Sequence, residues 1–274
     1  MVNEQMNWRI DTGDALDLIP TLQDGSVQLV VTSPPYPGQY GNKMGVPMYL
    51  DWSRHWLRLL RPKLTPTGVV AVNVHFKRTD DGWFDDRLFE FSRPAFTGLN
   101  LLDVYVYGKG NPPPNGGLDY CDPPGWEAIF VLTRAERPQD VLFTPVRRPY
   151  ARGSVRKTGP QAGTLYSNRS KRTTEPHPDG ARQTTLMLMS MSADQGRPRA
   201  KGISFPRALA HRFICQYTRP GDLVIDTFCG AGTVGHMAIL LERPFIGFDN
   251  NPDEAERARA WLAETAEGAS LEAA

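Results

Sequence analysis

Cysteine is scarce: three residues in 274, at Cys121, Cys215 and Cys229. An odd, scattered set builds neither a disulfide framework nor a four-ligand zinc site. Long apolar runs are missing too. No stretch approaches the roughly 18 residues of a membrane-spanning helix. Apolar residues make up 40% of the chain, enough for a core and too few for a membrane protein. The opening MVNEQMNWRI lacks a basic start followed by an apolar stretch, so no secretory signal is expected, and the expected compartment is the cytoplasm. His55, His75, His177, His211 and His236 show no metal-ligand spacing, so no metal is expected. No Gly-Lys-Ser/Thr follows a glycine loop, which excludes a P-loop.

An excess of one charge is also missing overall, since the net charge is +1, but the balance is local. From Arg147 to Arg207 there are 13 basic residues against Glu175, Asp179 and Asp194; the remainder holds 18 basic and 27 acidic. A basic segment on an acidic body fits a polyanion partner for that segment, or a solvated loop. Residues 139–201 are rich in Arg, Thr, Ser, Gly and Pro with little periodicity, and read as an inserted lobe. Its main apolar run, Leu186 to Met191, reads as a short strand or packing edge.

The rest alternates strand and helix patterns, which points to one α/β domain split by the insert: residues 1–138, then 202–274. Val27 to Val31 is an apolar strand that runs into Thr32-Ser33-Pro34-Pro35-Tyr36. Two consecutive prolines cannot donate to a ladder, so the strand stops there and leaves a stiff loop at its C-terminal edge. Ligands of open α/β sheets bind at that edge. Tyr49 to Leu60 reads as an amphipathic helix, Gly68 to Val74 as a buried strand, and Arg87 to Leu99 as a helix interrupted near Pro94. Leu102 to Tyr107 and Glu127 to Leu132 are further strands. Ser204-Phe205-Pro206 opens a helix with Ser204 as cap. Leu223 to Asp226 is a strand leading into a glycine loop and helix. The last strand ends at Asp249, and the last helix runs from Asp253 to about Glu264.

The loop Asp226-Thr227-Phe228-Cys229-Gly230-Ala231-Gly232-Thr233 lies between a strand and a helix. Its glycines allow close approach of a ligand to the backbone. One strand later Asp249 can accept hydrogen bonds from ribose hydroxyls. Gly230, Gly232 and Gly235 formally match a dinucleotide fingerprint. Yet Asp226 sets a carboxylate where a pyrophosphate would lie, which suits an ammonium group better, and S-adenosylmethionine carries one with no phosphate. A glycine turn without ligand is the plain alternative. In the Ser33 to Tyr36 loop, the Ser33 hydroxyl and Pro34 carbonyl can hold an exocyclic amino group and the Tyr36 ring can stack on a base. Asn111 to Pro114 and Asp122 to Gly125 resemble it but lack the aromatic residue, and read as turns. Trp52 and Trp56 read as core, and Asn73 as a strand-end residue near the cleft or a satisfied core amide.

Together these residues resemble the β class of DNA amino-methyltransferases, in which the catalytic loop precedes the cofactor loop. Ser33-Pro34-Pro35-Tyr36 is similar to the family's catalytic motif in the form typical of N4-cytosine enzymes, and residues 226–233 to its cofactor motif. Gly13-Asp14-Ala15-Leu16 resembles the segment that contacts adenine, Phe205-Pro206 the segment feeding the cofactor motif, and Lys109-Gly110-Asn111-Pro112 a further family segment. The match spans roughly residues 8–136 and 202–262. Cys229-Gly230-Ala231-Gly232 departs from the more frequent Gly-Ser-Gly, and Lys201 to Ser204 replaces a common His-Pro pair.

The resemblance implies a Rossmann-like methyltransferase fold, with a mostly parallel sheet and helices on both faces. It implies S-adenosylmethionine held by Asp14, Ser204, Phe205, Asp226, Phe228, Cys229, Gly230, Gly232, Thr233, Asp249 and Asn250. It implies methyl transfer at Ser33, Pro34, Pro35 and Tyr36 to N4 of a cytosine flipped out of double-stranded DNA. Arg147, Arg148, Arg152, Arg156, Lys157, Arg169, Lys171 and Arg172 of the insert would contact the DNA. A monomer or homodimer is expected, beside the nucleoid, with a cognate restriction endonuclease acting separately. N6-adenine transfer uses the same geometry. A binding module retaining the fold, or a methyltransferase for small molecules or proteins, is a further alternative. C5-cytosine transfer is excluded because no cysteine lies in a proline-led loop.

Overall fold

Val27–Thr32 is buried at every position, as a strand covered on both faces must be. It lies in the middle of the sheet, so its end is the natural place for a site. The protein is described here by a computed structural model covering residues 7–37, 43–79, 81–110, 125–149, 178–189 and 206–273. In chain order the elements are β1 (Trp8–Thr12), α1 (Ala15–Leu18), β2 (Val27–Thr32), α2 (Val46–Leu60), β3 (Leu64–Val74), α3 (Pro94–Thr97), β4 (Asn100–Lys109), β5 (Trp126–Thr133), β6 (Arg147–Arg148), β7 (Ala181–Arg182), β8 (Leu186–Met189), α4 (Arg207–Tyr217), β9 (Leu223–Asp226), α5 (Thr233–Leu240), β10 (Phe245–Asp249) and α6 (Pro252–Ala273).

Among the described residues eight strands form one sheet in the order β1-β10-β9-β2-β3-β5-β4-β8. β1, β10, β9, β2 and β3 run parallel. β5 is antiparallel to both its neighbours, and β8 pairs parallel with β4. This is the Rossmann-like arrangement expected of a methyltransferase. The period of two along each strand divides the core in two. Leu29, Val31, Ile129 and Val131 pack with Leu209, Phe213, Val234, Ala258 and Leu262 of α4, α5 and α6. Val30, Val70, Val72 and Phe130 pack on the other side with Tyr49, Trp56, Leu57 and Leu60 of α2. Among the described residues no helix is long and apolar enough to cross a membrane.

Three local expectations change. Residues 87–99 form a 3-10 run, Asp86–Ser92, and then the short α3. Pro94 has no N–H to continue the ladder, and Gly98 ends α3 in the left-handed region with φ 71°. The cap of α4 is Pro206, with no side-chain cap bond; Ser204 and Phe205 lie outside the described residues. α6 continues past Glu264 to Ala273.

The chain divides into two units, Met1–Thr144 with Thr185–Ala274, and Pro145–Thr184. The strand read within 139–201 as part of the insert, β8, is the last strand of the large sheet in the first unit. In the second unit β6 and β7 pair antiparallel, Arg147 with Arg182 and Arg148 with Ala181.

Gly235 acts through packing, not through phosphate. A Cβ there would lie 2.5 Å from the Phe245 ring and 2.8 Å from Leu262 Cδ1, both buried. Gly235→Val is expected to lower stability by about 1–3 kcal/mol through overpacking. Denaturant midpoints at unchanged slope check this; an unaltered midpoint contradicts the packing described.

Candidate active site

β2 and β9 are neighbours and parallel, with Val30 opposite Ile225. Their C-terminal ends therefore release two loops side by side, 33–37 from β2 and 227–232 from β9. A buried hydrogen bond ties the two ends together: Thr32 Oγ1 donates to Asp226 Oδ1 at 2.8 Å. Thr227 Oγ1 lies 3.2 Å from Thr32 Oγ1, and Phe228 N donates to Asp226 at 3.1 Å. Phe228 then packs on Trp52 and Trp56 of α2, with ring centroids at 5.2 and 5.6 Å. Trp56 is a core residue as expected; Trp52 is only half-buried and flanks the loop.

The β9 loop fits a cationic nucleoside. Gly230 and Gly232 have φ of 45° and 82°, and nothing lies within 4 Å of a Cβ built on Gly230, so the backbone there is open to a ligand. Neither Lys nor Arg stands in residues 226–233, and the charged residue there is a carboxylate, Asp226. Asp249, at the tip of β10, accepts from Gly230 N and Asn251 N, both at 2.8 Å. Gly13 N donates to the Asp249 carbonyl at 2.9 Å, which brings the Gly13-Asp14 segment to the same edge. Asp14 itself caps α1 by accepting from Leu16 N. Asn250 is exposed beside Asp249, and Thr233 is buried at the start of α5. Cys229 is turned inward: its Sγ is packed against Gly247, where a Cβ would lie 3.0 Å away. Burial pushes its thiol well above the ordinary range.

On the other loop, Ser33 Oγ and Tyr36 Oη are 2.9 Å apart. Asn73, His75, Lys77, Lys109 and Glu127, none of them among the expected catalytic residues, complete the cluster. Asn73 Nδ2 donates to Tyr36 Oη at 2.7 Å and to Glu127 Oε2 at 2.5 Å. Tyr36 Oη donates to the same carboxylate oxygen at 3.3 Å. Lys109 Nζ sits 2.6 Å from Glu127 Oε1, both side chains being buried. His75 Nδ1 lies 3.5 Å from that oxygen, and its ring is tilted on Tyr36 at 5.6 Å. Burial, with Lys109 and Lys77 nearby, lowers the His75 pKa against the pull of Glu127. Lys77 Nζ donates to the Pro37 carbonyl and closes the loop. Burial first, then Glu127, pushes the Tyr36 hydroxyl well above its ordinary pKa, so it keeps its proton. A legible signal existed for Glu127, since one charge heads an otherwise apolar strand. That it lies at the catalytic edge depends on β5 running antiparallel.

Of the expected DNA contacts, Arg147 and Arg148 are described. Arg147 Nη1 donates to the Gly180 carbonyl at 3.0 Å and Arg148 is exposed. Arg152, Arg156, Lys157, Arg169, Lys171 and Arg172 lie outside the described residues, as do Asn111 to Pro114 and Cys121.

Burial raises the Asp226 pKa to about 7 against an ordinary 3.8, with Thr32 and Phe228 N opposing the rise. The folded protein therefore binds a proton between pH 4 and 7 that the unfolded chain has released. Its stability contribution is full below about pH 4 and is lost as pH rises through 7. Asp226→Asn keeps an oxygen for Thr32 and Phe228 N and carries no charge. The variant is expected to gain on the wild type by a few kcal/mol, on the order of the shift, between pH 4 and 8. Chemical denaturation at the two pH values checks this; a parallel pH dependence contradicts it.

The family model described as DNA methylase, covering N6 and N4 methyltransferases, matches residues 27–260. The Type II methyltransferase M.PvuII of Proteus hauseri is 25% identical over 277 residues, spanning 88% of this chain and 79% of the relative. The Type II methyltransferase M.HpaI of Haemophilus parainfluenzae is 22% identical over 271 residues, spanning 94% and 74%. Among solved structures, the cytosine-N4-specific PvuII DNA methyltransferase superposes with a TM-score of 0.70 at 17% identity, covering 98% of this chain and 96% of that one. TTHA0409 of Thermus thermophilus, complexed with S-adenosyl-L-methionine, superposes with a TM-score of 0.61 at 22% identity, covering 95% of each chain. With the family model matched over most of its length and both family loops at one sheet edge, this chain belongs to the N6/N4 DNA methylase family and is a DNA methyltransferase.

Proposed function

We propose that the chain methylates the exocyclic N4 of a cytosine in double-stranded DNA, with S-adenosylmethionine as donor. The observation that carries this is the adjacency of two loops. Ser33 begins the loop after β2, the glycine loop follows β9, and Thr32 and Asp226 bond the two strand ends directly. The serine at position 33 favours cytosine, as does likeness to M.PvuII and to the cytosine-N4-specific structure.

The cofactor supplies an electrophilic methyl group on a sulfonium. Asp249 takes its ribose hydroxyls, Gly230 and Gly232 let it approach the backbone, and the acidic loop suits its positive charge. Asp14, Phe228, Thr233 and Asn250 line the same edge, with Asp226 and Cys229 beneath the loop; Ser204 and Phe205 complete the proposed set. On the DNA side, the base must leave the stack to reach the site. Ser33 Oγ and the Pro34 carbonyl accept the two amino hydrogens, which directs the nitrogen lone pair. Pro34 and Pro35 hold that geometry at little entropic cost. The Tyr36 ring stacks on the base, contributing about 1–3 kcal/mol. Positioning of this kind accounts for about 7–11 kcal/mol of barrier lowering. The basic segment 139–201 holds the phosphates through Arg147, Arg148 and the other basic residues of the insert, with any base-edge contact supplying sequence choice. A restriction endonuclease of the same specificity is the natural counterpart, acting as a separate protein.

Ser33→Ala is expected to lower the methylation rate by roughly 10²-fold, the size seen when one pre-organised polar contact is removed. Digestion of DNA methylated with labelled cofactor, followed by nucleoside chromatography, is expected to give N4-methylcytosine; N6-methyladenine alone would overturn the assignment. Asp249→Ala is expected to weaken cofactor binding at least about tenfold, the worth of 1.4 kcal/mol. Calorimetric titration reads it, and unchanged affinity would move the ribose site elsewhere.

A further inference from the structure

We infer that Glu127 sets the direction of the Ser33–Tyr36 hydrogen bond and receives the proton that the methylated amino group must lose. The inference rests on the reading above, that Ser33 accepts from the target amino group.

Hydrogen-bond accounting carries it. Glu127 is buried, with its Oε1 held by Lys109 Nζ at 2.6 Å. An ionised carboxylate only accepts, so the Tyr36 proton points to Glu127 Oε2, 3.3 Å away. Asn73 Nδ2 donates to Tyr36 Oη and Glu127 Oε2 and lies 3.5 Å from Ser33 Oγ; an amide nitrogen only donates, so the carboxylate is the acceptor for the Tyr36 proton. Tyr36 Oη has then given its one proton, and the Ser33 Oγ 2.9 Å away must donate to it. With that proton turned inward, the Ser33 lone pairs face the cleft. An amino group finds an acceptor there, and a carbonyl at the same base position finds none.

The same chain moves the proton. After transfer the nitrogen carries an extra positive charge and an N–H against Ser33 Oγ. That N–H bond breaks as an O–H bond forms on Ser33; the Ser33 proton passes to Tyr36 Oη, and the Tyr36 proton to Glu127 Oε2. Ser33 and Tyr36 end as they began, Glu127 becomes a neutral acid, and Lys109 keeps its charge. Glu127 returns the proton to water when the product leaves. A buried carboxylate and lysine cost desolvation that an apolar pair would avoid, so their place beside Ser33 calls for such a use. Glu127 is faced by Tyr36 from the loop after β2, by Asn73 of β3 and His75 just after it with Lys77 beyond, and by Tyr107 and Lys109 of β4. Burial lowers the His75 pKa against the pull of Glu127, and the Ser33–Tyr36–Glu127 chain of hydrogen bonds does not pass through its ring.

Glu127→Gln keeps the side chain's size and removes the acceptor charge; its amide can donate to Tyr36 and reverse the chain. At saturating cofactor, single-turnover methylation is expected to fall about 10²-fold, the lower range for general base catalysis. The wild-type rate is expected to decline toward acid pH, and the variant to lose that decline while binding cofactor and DNA as before. In the ligand-free protein labelled at tyrosine Cζ, the Tyr36 resonance is expected to move in the variant. A Gln variant within twofold of wild type with the same pH profile, or an unmoved Tyr36 resonance, overturns the inference. Should Glu127→Gln fail to fold, Tyr36→Phe retains the ring and is expected to show the same loss and the same flat profile; wild-type behaviour there overturns it equally. N6-methyladenine as product would sink the cytosine reading and leave this test standing, since the chain begins at any amino group held by Ser33. A wild type without methylation activity would sink that reading too, and the Tyr36 resonance alone would decide the inference.

Discussion

One buried hydrogen bond, from the Thr32 hydroxyl to the Asp226 carboxylate, joins residues 194 positions apart in the chain. It closes the gap between the two strand ends from which both functional loops start. Thr32 immediately precedes Ser33, and Asp226 immediately precedes the glycine loop, so a shift at either end moves both. The contact has a cost, since a fully enclosed carboxyl with no cationic partner among the described residues is driven toward its neutral form. The loop that follows is therefore built over a group whose charge is unfavourable until something positive arrives.

The second investment is the Glu127, Lys109, Asn73 and Tyr36 cluster on the opposite flank of Ser33. It concentrates polar groups at the C-terminal edge of the parallel strands, where β2 and β3 are otherwise mostly apolar. Ser33 thus lies between two enclosed carboxyl groups with different tasks. Asp226 fixes the backbone from which the loop departs, and Glu127 fixes which way the hydroxyl points. Local departures from an apolar core at one edge are what a functional site looks like when the rest of the domain obeys simple packing.

Much of this was legible in the chain. Strands β2, β3 and β9 announce themselves as short apolar runs, and the two prolines after Ser33 mark where β2 must stop. Gly230 and Gly232 do adopt the backbone angles only glycine accepts readily, and Asp249 does end the following strand. What was not legible depends on pairing. That β5 runs antiparallel, and so delivers Glu127 to the catalytic edge, follows from no local pattern. Lys109 and Glu127 are 18 residues apart and meet only because β4 and β5 pair in register. Thr32 looked like the tail of a strand, and its partner is supplied from the far end of the sequence. Cys229, in the cofactor motif, turns into the core because Gly247 leaves room for its sulfur. The strand at Leu186, read as part of the basic segment, joins the large sheet because its backbone finds an open edge on β4.

The central claim is that the catalytic hydroxyl and the cofactor loop serve one cleft at the C-terminal edge of β2 and β9. A co-crystal with the demethylated cofactor and a duplex carrying the target cytosine tests it most directly. The account predicts the flipped base with its N4 hydrogen-bonded to Ser33 Oγ and within the roughly 3–3.5 Å approach of a near-attack geometry once the methyl position is restored. A cofactor sulfur on another edge of the sheet, or a base whose amino group lies away from Ser33, would contradict it.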